Sequence, residues 1–344
     1  MNSSLLEQRH FDIAHASEVS AARRFGQQLA ESLQLDDIRA GRLAILVTEL
    51  ATNMLKHAQG GRLIVSQARI NGLDAIELLA LDKGPGIANL DFSFLDGNSS
   101  TGTSGNGLGA LRRLSDEFDV YTAAGKGTAF FVRVWQTAPK AGQEGGIQSG
   151  AICVPMHGED VCGDAWAIAG ERTQGEQAEQ FSVMVSDGLG HGPDAAAASA
   201  AALAVLRDRP GDSCEDLVKG AHTALRATRG AALAVAKINL ADSTLTFAGI
   251  GNISAHVIDG DSRRQIMSHN GIVGNNVRKI QEFVLPFPPR ALCILHSDGI
   301  NTQWGIERYP GLAFCHPALI AGILLRDFER GRDDVTALVI RNLG

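Results

Sequence analysis

Apolar positions recur at helical spacing along residues 43–58, LAILVTELATNMLKHA, where Leu43, Leu46, Val47, Leu50, Met54 and Leu55 form one face. Glu49, Asn53 and His57 interrupt it at steps of four and so share a second stripe of the same helix. The glycine pair at 60 and 61 stops the helix. Before it, residues 17–33 predict another helix, with Ser17 as N-cap and Glu18 in the first turn. After it, residues 63–69 and 74–81 predict strands joined by Asn71-Gly72, a strong hairpin turn. Residues 108–118 predict a helix, and residues 119–135 two strands around Gly125-Lys126-Gly127.

The pattern lapses over residues 136–150, QTAPKAGQEGGIQSG, which predicts a flexible linker. Beyond it, strands are expected at 165–169, 181–185, 231–239, 245–248, 253–258, 291–295 and 336–341, and helices at 194–207, 213–228 and 317–328. Strands in series with separate helices predict a sheet-on-sheet core with helices outside. The fold class is α+β in two domains, residues 1–135 and 151–344, and the length of 344 fits two units of about 150 residues.

With 44% hydrophobic and 20% charged residues, the chain can bury full cores. The net charge of −7 and the lack of a basic stripe argue against nucleic acid as a partner. The N-terminal residues lack the basic head and apolar run of a secretory signal. The longest apolar stretch, 195–206, is alanine-rich and too short to span a bilayer, so no membrane is expected as a partner. Five scattered cysteines without a CxxC predict free thiols and a cytoplasmic location.

Candidate chemistry lies in ordered motifs. In the first half these are the helix stripe, Asp82-Lys83-Gly84-Pro85-Gly86 after a strand, and Gly105-Asn106-Gly107-Leu108-Gly109 opening a helix. Glycines before a helix let backbone amides approach phosphates at its positive end. No Gly-Lys-Ser/Thr follows, so this is not a P-loop, and the glycines follow a polar loop, unlike a Rossmann fingerprint. In the second half aspartates recur beside strand ends: Asp164, Asp187, Asp298 and the pair Asp333-Asp334. One Asp-Gly after a strand is an ordinary turn. Four clustered acidic sites repel unless cations lie between them, and Mg²⁺ or Mn²⁺ suits an all-oxygen set.

TELATNMLKHA, DKGPGI, GNGLGALRRLSDEFDV and AGKGTAFFV, in that order over residues 10–135, resemble the GHKL (Bergerat-type) ATP-binding α/β sandwich. The resemblance is strongest to the bacterial anti-sigma serine/threonine kinases, especially the stressosome switch kinases. It implies ATP with Mg²⁺ as cofactor, Asn53 as the Mg²⁺ ligand and Glu49 as general base. It further implies Asp82 as acceptor of the adenine amino group, Gly84 and Gly86 beneath the base, and Gly105, Gly107, Leu108 and Gly109 around the phosphates. Thr128 would support the adenine pocket, and the polar stretch 97–105 would be a lid. Lys56 and His57 receive no role.

The order GD…SDGxGHG…SDG…RDDxT over residues 150–344, with GEDVCGD, RATRGAAL, GIGNISA and SHNGIVG, resembles the PP2C-type phosphatases of the bacterial sporulation and stress-response branch. It implies a β-sandwich flanked by helices and a pair of Mn²⁺ or Mg²⁺ ions held by Asp164, Asp187, the Gly188 carbonyl, Asp298 and Asp333, with Asp334 the alternative to Asp333. Glu159 and Asp160 are candidates for supporting roles, His191 for a loop histidine or a general acid, and Arg229 for phosphate capture.

The two resemblances together imply a bifunctional partner-switching regulator, a kinase of STAS-type anti-sigma antagonists joined to a phosphoserine/threonine phosphatase. The alternative is an ATP-sensing binding module without phosphotransfer, fused to the phosphatase. A histidine kinase is disfavoured, because no helical hairpin with a phospho-accepting histidine precedes residue 40.

Overall fold

The computed structural model describes residues 2–94, 107–139, 146–171 and 179–344. The first half runs β1 (Asn2–Ile13), α1 (Ala16–Ser32), α2 (Asp37–His57), β2 (Gly61–Ile70), β3 (Leu73–Leu81), the short α3 (Leu90–Ser93), α4 (Gly107–Leu114), β4 (Glu117–Thr122) and β5 (Thr128–Trp135). The second runs β6 (Ile147–Val154), β7 (Asp164–Glu171), β8 (Gln180–Gly188), α5 (Pro193–Asp208), α6 (Cys214–Ala224), β9 (Ala231–Asn239), β10 (Thr244–Ile250), β11 (Ser254–Asp259) and β12 (Ser262–Ile266). A small ribbon of β13 (Gly271–Ile272) and β14 (Asn276–Val277) follows, then β15 (Phe283–Pro286), β16 (Leu292–His296), α7 (Pro317–Phe328) and β17 (Val335–Asn342).

The hairpin at Asn71-Gly72 forms as expected, both residues at positive φ. Four local expectations need correction. The first helix is capped at His15, whose backbone N–H donates to Glu18 at 2.6 Å, so Ser17 lies inside it. The helix opening at Gly107 stops at Leu114, because Phe118 pairs with Val132 in the β4–β5 ladder. The linker is shorter than its composition suggested, since β6 begins at Ile147 and pairs along β17. Residues 2–13 form β1, which was not anticipated.

β1 pairs with β2 on one side and, through Asn2 to Ser4, with β7 on the other. The strands of both halves thereby merge into one ten-stranded sheet, in the order β15-β10-β9-β8-β7-β1-β2-β3-β5-β4. The five-stranded sheet β12-β11-β16-β17-β6 stacks on its β15–β7 portion. The core between them contains Val183, Val185, Ala236, Phe247, Cys293, Leu295 and Leu338. α5 and α6 cover the outer face, and the alanines at 195, 198 and 202 let α5 lie close.

In the first half, alternate residues of each strand serve two cores. Phe130, Val132 and Val134 of β5 pack with α1 and α2, while Ala129 and Phe131 face α7. β3 does the same with Ile76 and Leu78 against Leu79 and Leu81. Every residue of α7 from Pro317 to Leu325 is buried, because the helix has β6 and β17 on one side and β3 and β5 on the other. A helix apolar all round needs cover all round. Among the described residues no helix is long and apolar enough to cross a membrane.

Gly322 makes this close packing possible, since a Cβ there would lie 2.8 Å from Leu81 Cδ2 and 2.9 Å from Leu79 Cδ2. Both leucines are buried and have little room to retreat. Gly322→Val is therefore expected to lower the denaturant midpoint by the equivalent of about 1–3 kcal/mol, despite the poor helix propensity of glycine.

His316 locks the same seam. Its ring stacks on Phe131 with centroids 3.9 Å apart, and its backbone N–H donates to Asp119 at 2.5 Å. Its Nδ1 accepts the Ala318 N–H at 3.1 Å, capping α7. Burial, then the charges of Arg133 and Arg341, hold its pKa well below 6.5. Burial also lowers that of His256, to about 3. The unfolded chain takes up these protons as the pH falls through 6.5 while the folded chain does not. The stability that the neutral rings allow above that pH is thus drawn down below it. Urea titrations of His316→Asn, which keeps a capping oxygen without titrating, should show a shallower loss between about pH 7 and about pH 5 than the parent.

Candidate active sites

The first site is built on α2. Asp36 caps the helix by accepting the Arg39 N–H at 2.8 Å, and Leu43, Leu46, Val47, Leu50, Ala51 and Met54 anchor it to the sheet. Glu49 and Asn53 stay half-buried at its edge, facing the start of α4. A Cβ on Gly107 would lie 2.8 Å from Glu49 Oε2 and 3.9 Å from Asn53 Oδ1. Any side chain at 107 would occupy the space between helix start and carboxylate. Leu108 is half-buried and Gly109 buried in the same first turn. Gly105 and the expected lid at 97–105 lie outside the described residues. Lys56 and His57 are exposed.

Asp82 follows β3 and is 9% exposed. Its Oδ1 accepts N–H groups from Gly84 at 2.8 Å and Thr128 at 3.1 Å, and its own N–H donates to the Thr128 carbonyl at 2.9 Å. Burial raises its pKa, and these two N–H donors and then Arg326 pull it back. Gly86 turns the loop at positive φ, and the next N–H, of Ile87, donates to Thr122 Oγ1 at 2.8 Å. Thr122 in turn meets Thr128 Oγ1 at 3.2 Å. The DKGPG and GKGT loops thus form one knitted floor. Glu49 and Asn53 offer oxygens beside a helix N-terminus, a set that fits a phosphate-bound Mg²⁺.

The second site lies at the ends of β7, β8, β16 and β17. Asp164 and Asp187 are direct partners across the β7–β8 ladder. Burial, then repulsion from Asp187, raises the Asp164 pKa well above the usual range, and its Oδ2 is buried with no hydrogen-bond partner among the described residues. Asp187 is pushed to about 7 by burial first, then by Asp298, Asp333 and Asp334. Asp298 accepts the Asn252 amide at 2.7 Å. Among the described residues no three His, Cys, Asp or Glu side chains converge tightly enough to cage one ion. The carboxylates are nevertheless close enough to help raise the pKa of Asp164 and Asp187, and the unpartnered Asp164 oxygen fits a cation as its complement.

The pair before β17 divides its work. Both oxygens of Asp334 are taken, by the N–H groups of Met156 at 2.8 Å and Gly163 at 2.9 Å, so Asp334 braces the loop that carries Asp164. Asp333 is half-buried and, among the described residues, accepts only the Asp334 N–H, at 2.9 Å. Gly188 ends β8 and its N–H donates to the Gly163 carbonyl at 3.2 Å. Glu159 bonds His191 Nδ1 at 2.6 Å, Asp160 is exposed, and Arg229 pairs with Asp194 at 2.6 Å.

The histidine kinase-like ATPase domain family matches residues 14–133, and the stage II sporulation protein E (SpoIIE) family matches residues 177–342. The serine/threonine-protein kinase RsbT of Bacillus subtilis (strain 168) is 32% identical over 118 residues, which are 34% of this chain and 89% of that protein. The chain belongs to the RsbT-type kinases, with a SpoIIE-type phosphatase domain fused behind. The phosphoserine phosphatase RsbX of the same organism is 24% identical over 157 residues, 45% of this chain and 75% of that protein. A solved structure described as the bacterial stressosome, a modular system adapted to control secondary messenger signaling, superposes with a TM-score of 0.51 at 24% identity. It covers 57% of this chain and 99% of that one, and supports the fold.

Several contributors to this fused enzyme sit inside the motifs without being singled out by them. Ser297 Oγ accepts the Thr336 N–H at 2.9 Å, tying β17 to the turn after β16 beside the carboxylates, and Ser297 pulls the raised Asp164 pKa back. Asn252 orients Asp298. Asn252 lies in GIGNISA and Thr336 in RDDxT, so the motifs held these positions without revealing their work.

Proposed function

We propose that the fused chain is a partner-switching enzyme of the cytoplasm that phosphorylates a Ser or Thr of a STAS-domain partner with its first half, about residues 1–135, and removes such a phosphate with residues 151–344. ATP with Mg²⁺ would supply the phosphoryl group. Asn53 would hold the cation, Asp82 the adenine amino group, and Gly107 and Gly109 the phosphates. Glu49 would take the proton from the attacking hydroxyl. In the second half, two Mn²⁺ or Mg²⁺ ions would supply an activated water. Asp164, Asp187, the Gly188 carbonyl, Asp298 and Asp333 would hold them, while Asp334 fixes the loop.

The observation that carries this is the placement of Glu49, its Oε2 2.8 Å from where a Cβ on Gly107 would stand as α4 begins. A module that only senses ATP has no need of a carboxylate there. The test incubates the purified chain with STAS-domain proteins and ATP/Mg²⁺ and follows phosphate by intact mass. Transfer that depends on Glu49 supports the kinase, and nucleotide binding without transfer supports the sensing alternative.

A further inference from the structure

The phosphatase half reaches into the floor of the nucleotide site. Arg326, near the end of α7, is 4% exposed in its side chain. Its Nη1 donates to the backbone carbonyl of Asp82 at 2.9 Å, across 244 residues of sequence. Its Nε and Nη2 fork onto the carboxylate of Asp327 at 3.0 and 2.8 Å. Asp327 in turn accepts the Tyr309 hydroxyl at 2.8 Å. The guanidinium is therefore held in one plane and aimed at one peptide, the one that sets the direction of the Asp82 side chain. The neighbouring floor loop is gripped too, because Lys126 Nζ donates to the Arg308 carbonyl at 2.5 Å and lies 4.8 Å over the Tyr309 ring.

The same strap continues to the carboxylate cluster. Just beyond Arg326, the Phe328 carbonyl accepts the Asn301 N–H at 2.8 Å, and the Arg330 N–H donates to the Gly299 carbonyl at 2.8 Å. These bonds fix the turn that follows Asp298, and three residues after Arg330 the chain delivers Asp333. Glu329, between them, pairs with Arg62 of β2 at 2.9 Å. One short segment thus holds Asp82 at one end and the backbone beside two candidate cation ligands at the other.

We propose that Arg326 is a positioning residue for the nucleotide site, and that residues 326–330 couple nucleotide occupancy to the order of the turn at 299–301. The inference rests on the assignment of Asp82 to the nucleotide. Coupling of this kind is reciprocal in binding free energy, so each site biases the other. Lysine cannot replace the fork, because it lacks the planar set of donors that reaches Asp327 and Asp82 together.

The test uses the full chain without added substrate. Calorimetric titration with a non-hydrolysable ATP analogue and Mg²⁺ should give an affinity about tenfold weaker for Arg326→Gln than for the parent. Arg326→Lys should lie between. Hydrogen exchange at the Asn301 and Arg330 amides should slow severalfold when the parent binds the analogue, and should not respond in Arg326→Gln. Equal affinities, or an exchange response unchanged by the substitution, would overturn the inference and leave the nucleotide site standing. A parent chain that binds no analogue would overturn the nucleotide assignment itself. If Arg326→Gln does not fold, Arg326→Lys decides, and parental affinity in that variant counts against the proposal.

Discussion

Asp187→Asn is expected to lower phosphatase turnover by more than about 100-fold while leaving the cation-free protein at least as stable as the parent. The two halves of this result come from one geometry. Asp187 stands opposite Asp164 in the ladder and close to Asp298, Asp333 and Asp334. Burial and these neighbours make its charge unwelcome unless a cation offsets it. Removing the charge relieves repulsion and removes a candidate cation ligand at once. Melting with and without Mn²⁺ checks this. The parent should gain stability from the ion, and Asp187→Asn should gain little. A variant that keeps turnover and ion-induced stabilisation would show that the cation binds elsewhere. Asp334→Asn is a poor substitute for this test, because Asp334 braces backbone at Met156 and Gly163 and its loss disturbs the loop.

Glu49→Gln should cut phosphotransfer by about 10²–10⁴-fold and change nucleotide affinity by less than about threefold. The amide keeps the size of the carboxylate beside Gly107 and loses its basicity. Asn53→Ala should behave differently, weakening nucleotide binding itself, since its amide oxygen is the candidate cation ligand. Single-turnover assays alongside calorimetry separate the two effects. Phosphatase activity should be unchanged in Glu49→Gln, which keeps a folded second half as an internal control.

Much of the fold was legible because both halves carry strong periodicity. The Asn71-Gly72 turn, the 231–239 strand and the 317–328 helix appear where the pattern put them. What the pattern concealed was long-range. The run AFFVRVW in β5 has no polar face, and every residue of β5 is buried. Helices α1 and α2 can cover only one face of that sheet, so the run already demanded a second cover. The helix apolar all round at 317–325 was the matching half of the signal. Neither says to which partner it belongs, because burial is non-directional. β1 escaped notice because its partners β2 and β7 are remote in sequence, and no local pattern announces such pairing.

The sites divide in the same way. Residue type and motif order selected Glu49, Asn53, Asp82 and the four strand-end aspartates. That Asp334 braces the loop at Met156 and Gly163 was not legible, because those N–H donors are distant in sequence. Arg326 was invisible for the same reason, as a charged residue at a helix end usually serves the helix alone.

The most direct test of the account is a phosphate chase on one purified chain. A STAS-domain protein is first incubated with the chain and ATP/Mg²⁺, then freed of nucleotide and supplied with Mn²⁺, with intact mass read at each stage. The expected result is addition of a phosphate that requires Glu49, followed by its removal in a step that requires Asp187. A chain that binds nucleotide yet neither adds nor removes phosphate on any STAS partner would contradict it.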